Sequence, residues 1–382
     1  MQSNRLFQVL LNILALIPIF RSKKMLISFI IILSLTALFY FFLYEDFNWT
    51  IGGYRSNPDL KTVRNDWKGN PVNPEGRFLN ENLEALPGFR DLWRWQRETN
   101  PQKTEKQKDT FRLTVTKNAD FLTSNEDCIV WLGHATFFIR LNGVSILTDP
   151  VLKSPSALMK RYSELPVAIS ELKDIDYIIV SHDHRDHCDE KSLKTLAPQN
   201  PNTIYLTGLG LDGLLKQWTN NNNVQAAGWY QAYQTDTSQI EIIYLPARHW
   251  SRRYLNDTNK SLWGAYLIRA NGKSVYFGSD SGYGAHYKDF ATYFDGVDVA
   301  LLGVGAYKPE WFMSSSHAGP NDATKAAHEM KAKRFIPMHY GTFDLSDEPL
   351  GDAYRELQKL QKELENQQLI VLAGVGEVIK IK

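Results

Sequence analysis

Three histidines and two aspartates fall within Ser181-His182-Asp183-His184-Arg185-Asp186-His187, directly after the apolar run Tyr177-Ile178-Ile179-Val180. Imidazole suits zinc, and a carboxylate suits a second, harder cation. At the end of a buried strand, His182 and His184 are expected to point the same way. The loop beyond brings Asp186 and His187 to a second position nearby. A solvated turn rich in histidine is the ordinary alternative, and the placement after a buried strand disfavours it.

Two metals need more ligands than this run supplies, and three further polar residues stand just past apolar strands. His249 follows the run 240–245 after a Pro-Ala-Arg turn, Asp280 follows Val275-Tyr276-Phe277-Gly278-Ser279, and His339 follows Phe335-Ile336-Pro337-Met338. The chain has only two cysteines, Cys128 and Cys188, so a metal here must rest on histidine and carboxylate. His317 precedes the predicted helix 320–330, whose amino end favours phosphate.

The elements that must position these groups are short β-rich runs at 128–132, 136–141, 144–147, 177–180, 203–206, 240–245, 265–269, 274–277, 297–302, 334–337, 369–372 and 377–381. Helical patterns lie between them at 190–197, 320–330 and 352–367, the last with Leu357, Leu360 and Leu364 on one face. Strands and helices intermixed throughout predict one α/β domain over 127–382. Residues 45–126 read as an extended lead-in wrapping that domain, because Trp67, Phe78, Trp93 and Trp95 need partners. Residues 98–109 are expected to form a surface loop.

Residues 25–44 form 20 positions without a charge, enough for about 30 Å of helix, the depth of a bilayer core. Arg21, Lys23 and Lys24 precede this run and Glu45 and Asp46 follow it, so a single-pass anchor is expected with residue 45 onward outside the cytoplasm. The apolar stretch 6–20 is too short to span, which leaves 1–24 as a basic and apolar amino-terminal segment. A cleaved signal peptide is the alternative, but no small-residue cleavage site follows. The 382 residues carry 43 basic and 42 acidic side chains, which disfavours a nucleic-acid partner.

The His182, His184, Asp186, His187 pattern resembles the HxHxDH motif of the metallo-β-lactamase superfamily. The strings Trp131-Leu132-Gly133-His134, Leu147-Thr148-Asp149-Pro150, Pro246-Ala247-Arg248-His249-Trp250, Gly278-Ser279-Asp280-Ser281-Gly282-Tyr283, Gly305-Ala306-Tyr307, Met338-His339-Tyr340-Gly341 and, in the lead-in, Gly76-Arg77-Phe78-Leu79-Asn80 resemble the N-acylphosphatidylethanolamine-hydrolysing phospholipase D family. The resemblance implies an αββα four-layer sandwich with two Zn²⁺ ions, although Fe²⁺ or Mn²⁺ suit the same donors. It implies that His182, His184 and His249 hold one ion and Asp186, His187 and His339 the other. Asp280 would bridge them and support a nucleophilic hydroxide. It places His317 as a catalytic residue contacting the phosphate or returning a proton. His134 and Asp149 are expected to orient ligands from behind.

The function implied is a membrane-anchored phospholipase D-type phosphodiesterase. Its substrate would be a membrane phospholipid, cleaved to phosphatidic acid and an N-acylethanolamine. Metal-dependent lactone or ester hydrolysis on the same scaffold is the competing enzymatic reading, and a non-enzymatic membrane binding protein the competing non-enzymatic one.

Overall fold

The computed structural model describes residues 48–80 and 87–381, with five isolated positions nearer the amino terminus. The predicted membrane segment 25–44 otherwise lies outside them, and among the described residues no helix is long and apolar enough to cross a membrane. Cα packing divides the chain into two units, residues 1–48 with 88–94 and residues 49–87 with 95–382. The described part of the first includes the start of the helix Phe89–Arg97, where Asp91 accepts the Gly88 amide at 2.8 Å. The second unit holds both large sheets and every candidate site residue.

One seven-stranded sheet runs in spatial order Val378–Lys380, Cys128–Gly133, Thr136–Leu141, Val144–Thr148, Tyr177–Val180, Ile204–Gly208 and Val224–Ala227. The other runs Lys61–Thr62, Gln231–Ala232, Glu241–Leu245, Ala265–Ala270, Lys273–Phe277, Val297–Gly303 and Ala332–Met338. The inner strands are apolar at nearly every position because both of their faces are covered. Side chains alternate across a strand, so Ile129, Trp131 and Ile179 enter the core shared by the two sheets. Val130, Leu132, Ile178 and Val180 point the other way, onto Leu193, Leu196 and Leu215 of the helices Glu190–Leu196 and Asp212–Thr219. On the far side, Ala323, Ala326 and Ala327 of the helix Pro320–Glu329 are buried in the same cluster as Phe335 and Leu301. The four layers are therefore helix, sheet, sheet, helix.

Parallel pairing sets the position of the site. Val144–Thr148, Tyr177–Val180 and Ile204–Gly208 run parallel in one sheet, and Lys273–Phe277, Val297–Gly303 and Ala332–Met338 run parallel in the other. Their carboxyl ends carry Asp149, His182, Asp280 and His339, in the place where open α/β sheets bind ligands.

Residues 49–87 and 95–126 of the lead-in are part of this unit. Lys61–Thr62 adds an antiparallel edge strand to Gln231–Ala232, Trp67 packs on Trp229 and Tyr230, and Trp95 stacks on Phe312 at 5.1 Å. Trp93, which belongs to the first unit, is 45% exposed. Residues 98–109 are not simply a loop, because Lys103–Lys108 form a short helix.

Two carboxy-terminal expectations are also corrected. The helix predicted over 352–367 ends at Leu360, where Asn366 folds back and donates Nδ2 to the Leu360 carbonyl at 3.1 Å. Leu364 is consequently 87% exposed rather than on the apolar face. The run 369–372 makes only an isolated bridge, Ile370 with Phe335, in place of a strand.

Candidate metal centre

Each predicted ligand arrives from a strand end or the turn after it, and the structure gathers them into two groups. In the first, Nδ1 of His184 lies 2.9 Å from Nε2 of His182 and 3.1 Å from Nε2 of His249. In the second, Oδ2 of Asp186 lies 3.7 Å from Nε2 of His187 and 3.5 Å from Nε2 of His339. Asp280 reaches both. Its Oδ2 is 3.1 Å from His187 and 3.8 Å from His249, and its Oδ1 is 3.0 Å from His339. Asp183, in the middle of the histidine run, turns away and accepts the Ser261 hydroxyl at 2.6 Å.

The outer ring nitrogens decide which donors face inward. His249 Nδ1 lies 3.0 Å from the Ser316 carbonyl, which can only accept, so Nδ1 carries the hydrogen and Nε2 presents its lone pair. His187 Nδ1 donates to Asp149 Oδ2 at 2.7 Å in the same way. His182 Nδ1 donates to Ser181 Oγ at 2.9 Å, and that hydroxyl in turn donates to Asp149 at 2.6 Å. Asp149 also accepts the Ser181 amide at 2.7 Å. Metal-ligating histidines are typically oriented by this kind of outer partner.

The inward atoms fit cations better than they fit one another. His187 Nε2, His339 Nε2 and Asp280 Oδ1 are buried and make no aligned hydrogen bond, although they lie within 3.1 Å of neighbouring donors or acceptors. The nitrogen separations in the first group are close to the edge of about 3.3–3.4 Å expected for ligands about 2.0–2.1 Å from one tetrahedral zinc. Two sets of four residues each bring one donor atom within 4.8 Å of the other three, His182, His184, His249 and Asp280, and His134, Asp186, His187 and His339.

Electrostatics separates the two groups. Burial and neighbouring imidazoles hold His182 well below the ordinary histidine range, and burial pushes His184 down to about 4, so the first group is neutral. In the second group, burial opposes charge on His187 and His339, but Asp280 and Asp186 outweigh it. His187 is held well above the usual range and His339 is raised to about 9. Asp186 and Asp280 are held ionised by those histidines despite burial. A cation entering the second group would displace the histidine protons and inherit the same carboxylates.

His134 and Asp149 sit behind the ligands. His134 Nε2 lies 3.1 Å from Asp186 Oδ2, while its backbone amide accepts support from Thr342 by donating to Oγ1 at 2.8 Å. His317 stands at the rim, with Nδ1 3.7 Å from Asp280 Oδ2. Four of the site's strand ends, at His134, Asp149, Ser279 and His339, have φ of 56°, 31°, 49° and 67°. Such conformations cost roughly 1–3 kcal/mol each in residues other than glycine and concentrate at functional sites.

Sequence reasoning missed several supporting residues. Ser279 donates its hydroxyl to Ser181, and Trp250 packs edge-on against His184 with ring centroids 4.5 Å apart. Arg161, half-buried, donates to the carbonyls of Leu132 and Val151 beside His134 and Asp149. Only adjacency to a ligand marks Ser279 and Trp250 in the sequence, and nothing marks Arg161.

A family model described as "Beta-lactamase superfamily domain" matches residues 145–340. The chain belongs to the metallo-β-lactamase superfamily, among relatives that include N-acylphosphatidylethanolamine-hydrolysing phospholipases D. It is 30% identical over 280 residues to N-acyl-phosphatidylethanolamine-hydrolyzing phospholipase D 1 of Caenorhabditis elegans, covering 68% of this chain and 77% of that protein. It is 32% identical to the mitochondrial enzyme of the same name from Saccharomyces cerevisiae, over 60% of this chain and 51% of the yeast protein. In fold it matches a metallo hydrolase from the archaeon Ignicoccus hospitalis with TM-score 0.52 at 19% identity, covering 67% of this chain and 98% of the other. Together with the His/Asp cluster, these findings define a metal-dependent hydrolase.

Proposed function

We propose that the protein is a phospholipase D-type phosphodiesterase that hydrolyses N-acylated ethanolamine phospholipids to phosphatidic acid and N-acylethanolamine, with two zinc ions as cofactors. The observation that carries this reading is Asp280, whose two oxygens reach histidines of both donor groups. The named activity of the nematode and yeast relatives supports the substrate.

His182, His184 and His249 would hold one cation, Asp186, His187 and His339 the other, with Asp280 between them. Paired divalent cations at such a site supply a nucleophile from water at neutral pH and Lewis-acid stabilisation of phosphoryl charge. The chain's own residues do the remaining work. Asp149 and Ser181 keep the Nε2 lone pairs of His187 and His182 turned inward. Ser316 does the same for His249. In the reaction, an oxygen–phosphorus bond forms from water, the bond from phosphorus to the ethanolamine oxygen breaks, and the leaving alkoxide takes a proton. His317, at the rim, contacts the phosphate or returns that proton.

The membrane segment 25–44 would anchor the enzyme beside its lipid substrate in a single pass, with the catalytic domain outside the cytoplasm. The test is product analysis by mass spectrometry after the purified protein meets N-acylated and plain phosphatidylethanolamine, with and without chelator. Chelator-sensitive phosphatidic acid supports the proposal, and the relative yield from the two lipids reports whether the N-acyl chain is read. Folded, metal-loaded protein that leaves both lipids intact refutes it and moves lactones and other esters to the front.

A further inference from the structure

The lead-in carries a short string, Gly76-Arg77-Phe78-Leu79-Asn80, to which the chemistry above assigns no task. Its last residue is buried against the metal centre from 169 positions away in sequence. The Asn80 carboxamide makes a two-point contact with the backbone of His249. Its Nδ2 donates to the His249 carbonyl at 3.0 Å, and its Oδ1 accepts the His249 amide at 3.2 Å. A primary amide carries a donor and an acceptor side by side, and here they meet the carbonyl and the N–H of one residue.

The contact belongs to a larger strap. The Phe78 amide donates to the Asn259 carbonyl at 2.7 Å, and Asn259 Nδ2 donates to the Phe78 carbonyl at 3.0 Å. Asn259 Oδ1 accepts the Ser251 amide at 3.1 Å. Arg77 donates to the Thr258 carbonyl at 2.6 Å. Two buried carboxamides thus flank the short stretch 249–251. His249 lies just past an isolated bridge of Arg248 with Gly282, whose amide donates to the Arg248 carbonyl at 2.8 Å, and its own N–H and carbonyl turn to Asn80 instead of a strand.

We propose that Asn80 is a positioning residue for the first metal subsite. It fixes the His249 backbone so that Nε2 converges with His182 Nε2 and His184 Nδ1 on one cation. The segment 77–80 is then a structural part of the metal centre rather than a leader to it. This inference rests on the metal reading of the site but not on the identity of the substrate.

The test is Zn²⁺ titration of the full chain against a chromophoric chelator, for wild type, Asn80→Ala and Asn80→Asp, with Co²⁺ absorption as a second readout. Asn80→Asp keeps the side-chain shape and the acceptor for the His249 amide but sets a carboxylate oxygen against the His249 carbonyl. It therefore decides the matter if Asn80→Ala does not fold. The expected result is two metals in wild type and a loss of about 10–100-fold in affinity at one of them in each folded variant. The other metal should be held as before, and the Co²⁺ spectrum of the weakened subsite should shift. Unaltered affinities and spectra in folded Asn80→Asp would overturn the proposal while leaving the metal centre standing. Wild type that takes up no metal would overturn both.

Discussion

Asp149 Oδ2 lies 2.7 Å from His187 Nδ1, and the same carboxylate receives the hydroxyl of Ser181, which in turn accepts from His182 Nδ1. One carboxylate outside the ligand set thus orients a histidine of each donor group. Asp149→Asn cannot accept from both neighbours in the same way. It is expected to lower affinity at both metal positions by about 10–100-fold, the usual effect of removing such a partner. Metal content after dialysis against a graded chelator checks this, and a loss confined to one position would contradict it.

Asp280 is the residue on which the pairing of the two positions depends. Asp280→Asn keeps the volume and removes the charge that holds His187 and His339 in their present states. The variant is expected to fold, to lose stoichiometric binding at one position, and to lose turnover. Elemental analysis alongside circular dichroism measures both. A variant that retains two metals and full turnover would remove Asp280 from the centre.

Gly305 is required by close approach. A Cβ built there would meet the His339 carbonyl oxygen at 2.0 Å, with the backbone of Tyr340 next to it. Gly305→Ala must displace the turn that carries His339. A destabilisation of about 1–3 kcal/mol is expected, the range of overpacked sites, with weaker binding at the Asp186, His187 and His339 position. Urea denaturation and metal titration report the two effects separately.

A carboxylate outside the His/Asp cluster provides a pH test. Asp109 accepts the amides of Gly351 at 2.8 Å and Phe111 at 3.0 Å and lies 3.4 Å from Arg355. Burial alone would raise its pKa, but these partners outweigh it and hold the carboxyl below its ordinary value. The folded chain therefore binds this proton less readily than the unfolded chain. The stabilisation is full above the ordinary carboxylate pKa and is lost as pH falls through the folded value. Wild type should exceed Asp109→Asn in urea midpoint at about pH 7, and the gap should close toward about pH 3, below the usual carboxylate range. A gap that widens on acidification would contradict the assignment.

The reach of the sequence follows from the range of the interactions. His182, His184, Asp186 and His187 were legible because they are local and follow a run whose two faces are both buried. His249, Asp280 and His339 were legible because each lies just past such a run. The paired residues Asn142-Gly143 and Asn271-Gly272 close two-residue hairpins with positive φ, in the turn chemistry that favours them. The contact between Asn80 and His249 was not legible, because nothing local records a partner 169 residues away. The helix Asp212–Thr219 went unread although Leu211, Leu215 and Trp218 are spaced for one face, its opening Asp-Gly having the look of a turn. The early end of the helix at Leu360 depends on the fold-back of Asn366, which periodicity does not encode.

The proposed reaction is metal-dependent attack of water on phosphorus. Hydrolysis of an N-acylated phosphatidylethanolamine in ¹⁸O-labelled water, followed by mass spectrometry of both products, tests it most directly. The account predicts one ¹⁸O in phosphatidic acid, none in the N-acylethanolamine, and neither product once chelator has removed the metals. Label in the N-acylethanolamine, or product formation that survives metal removal, would contradict it.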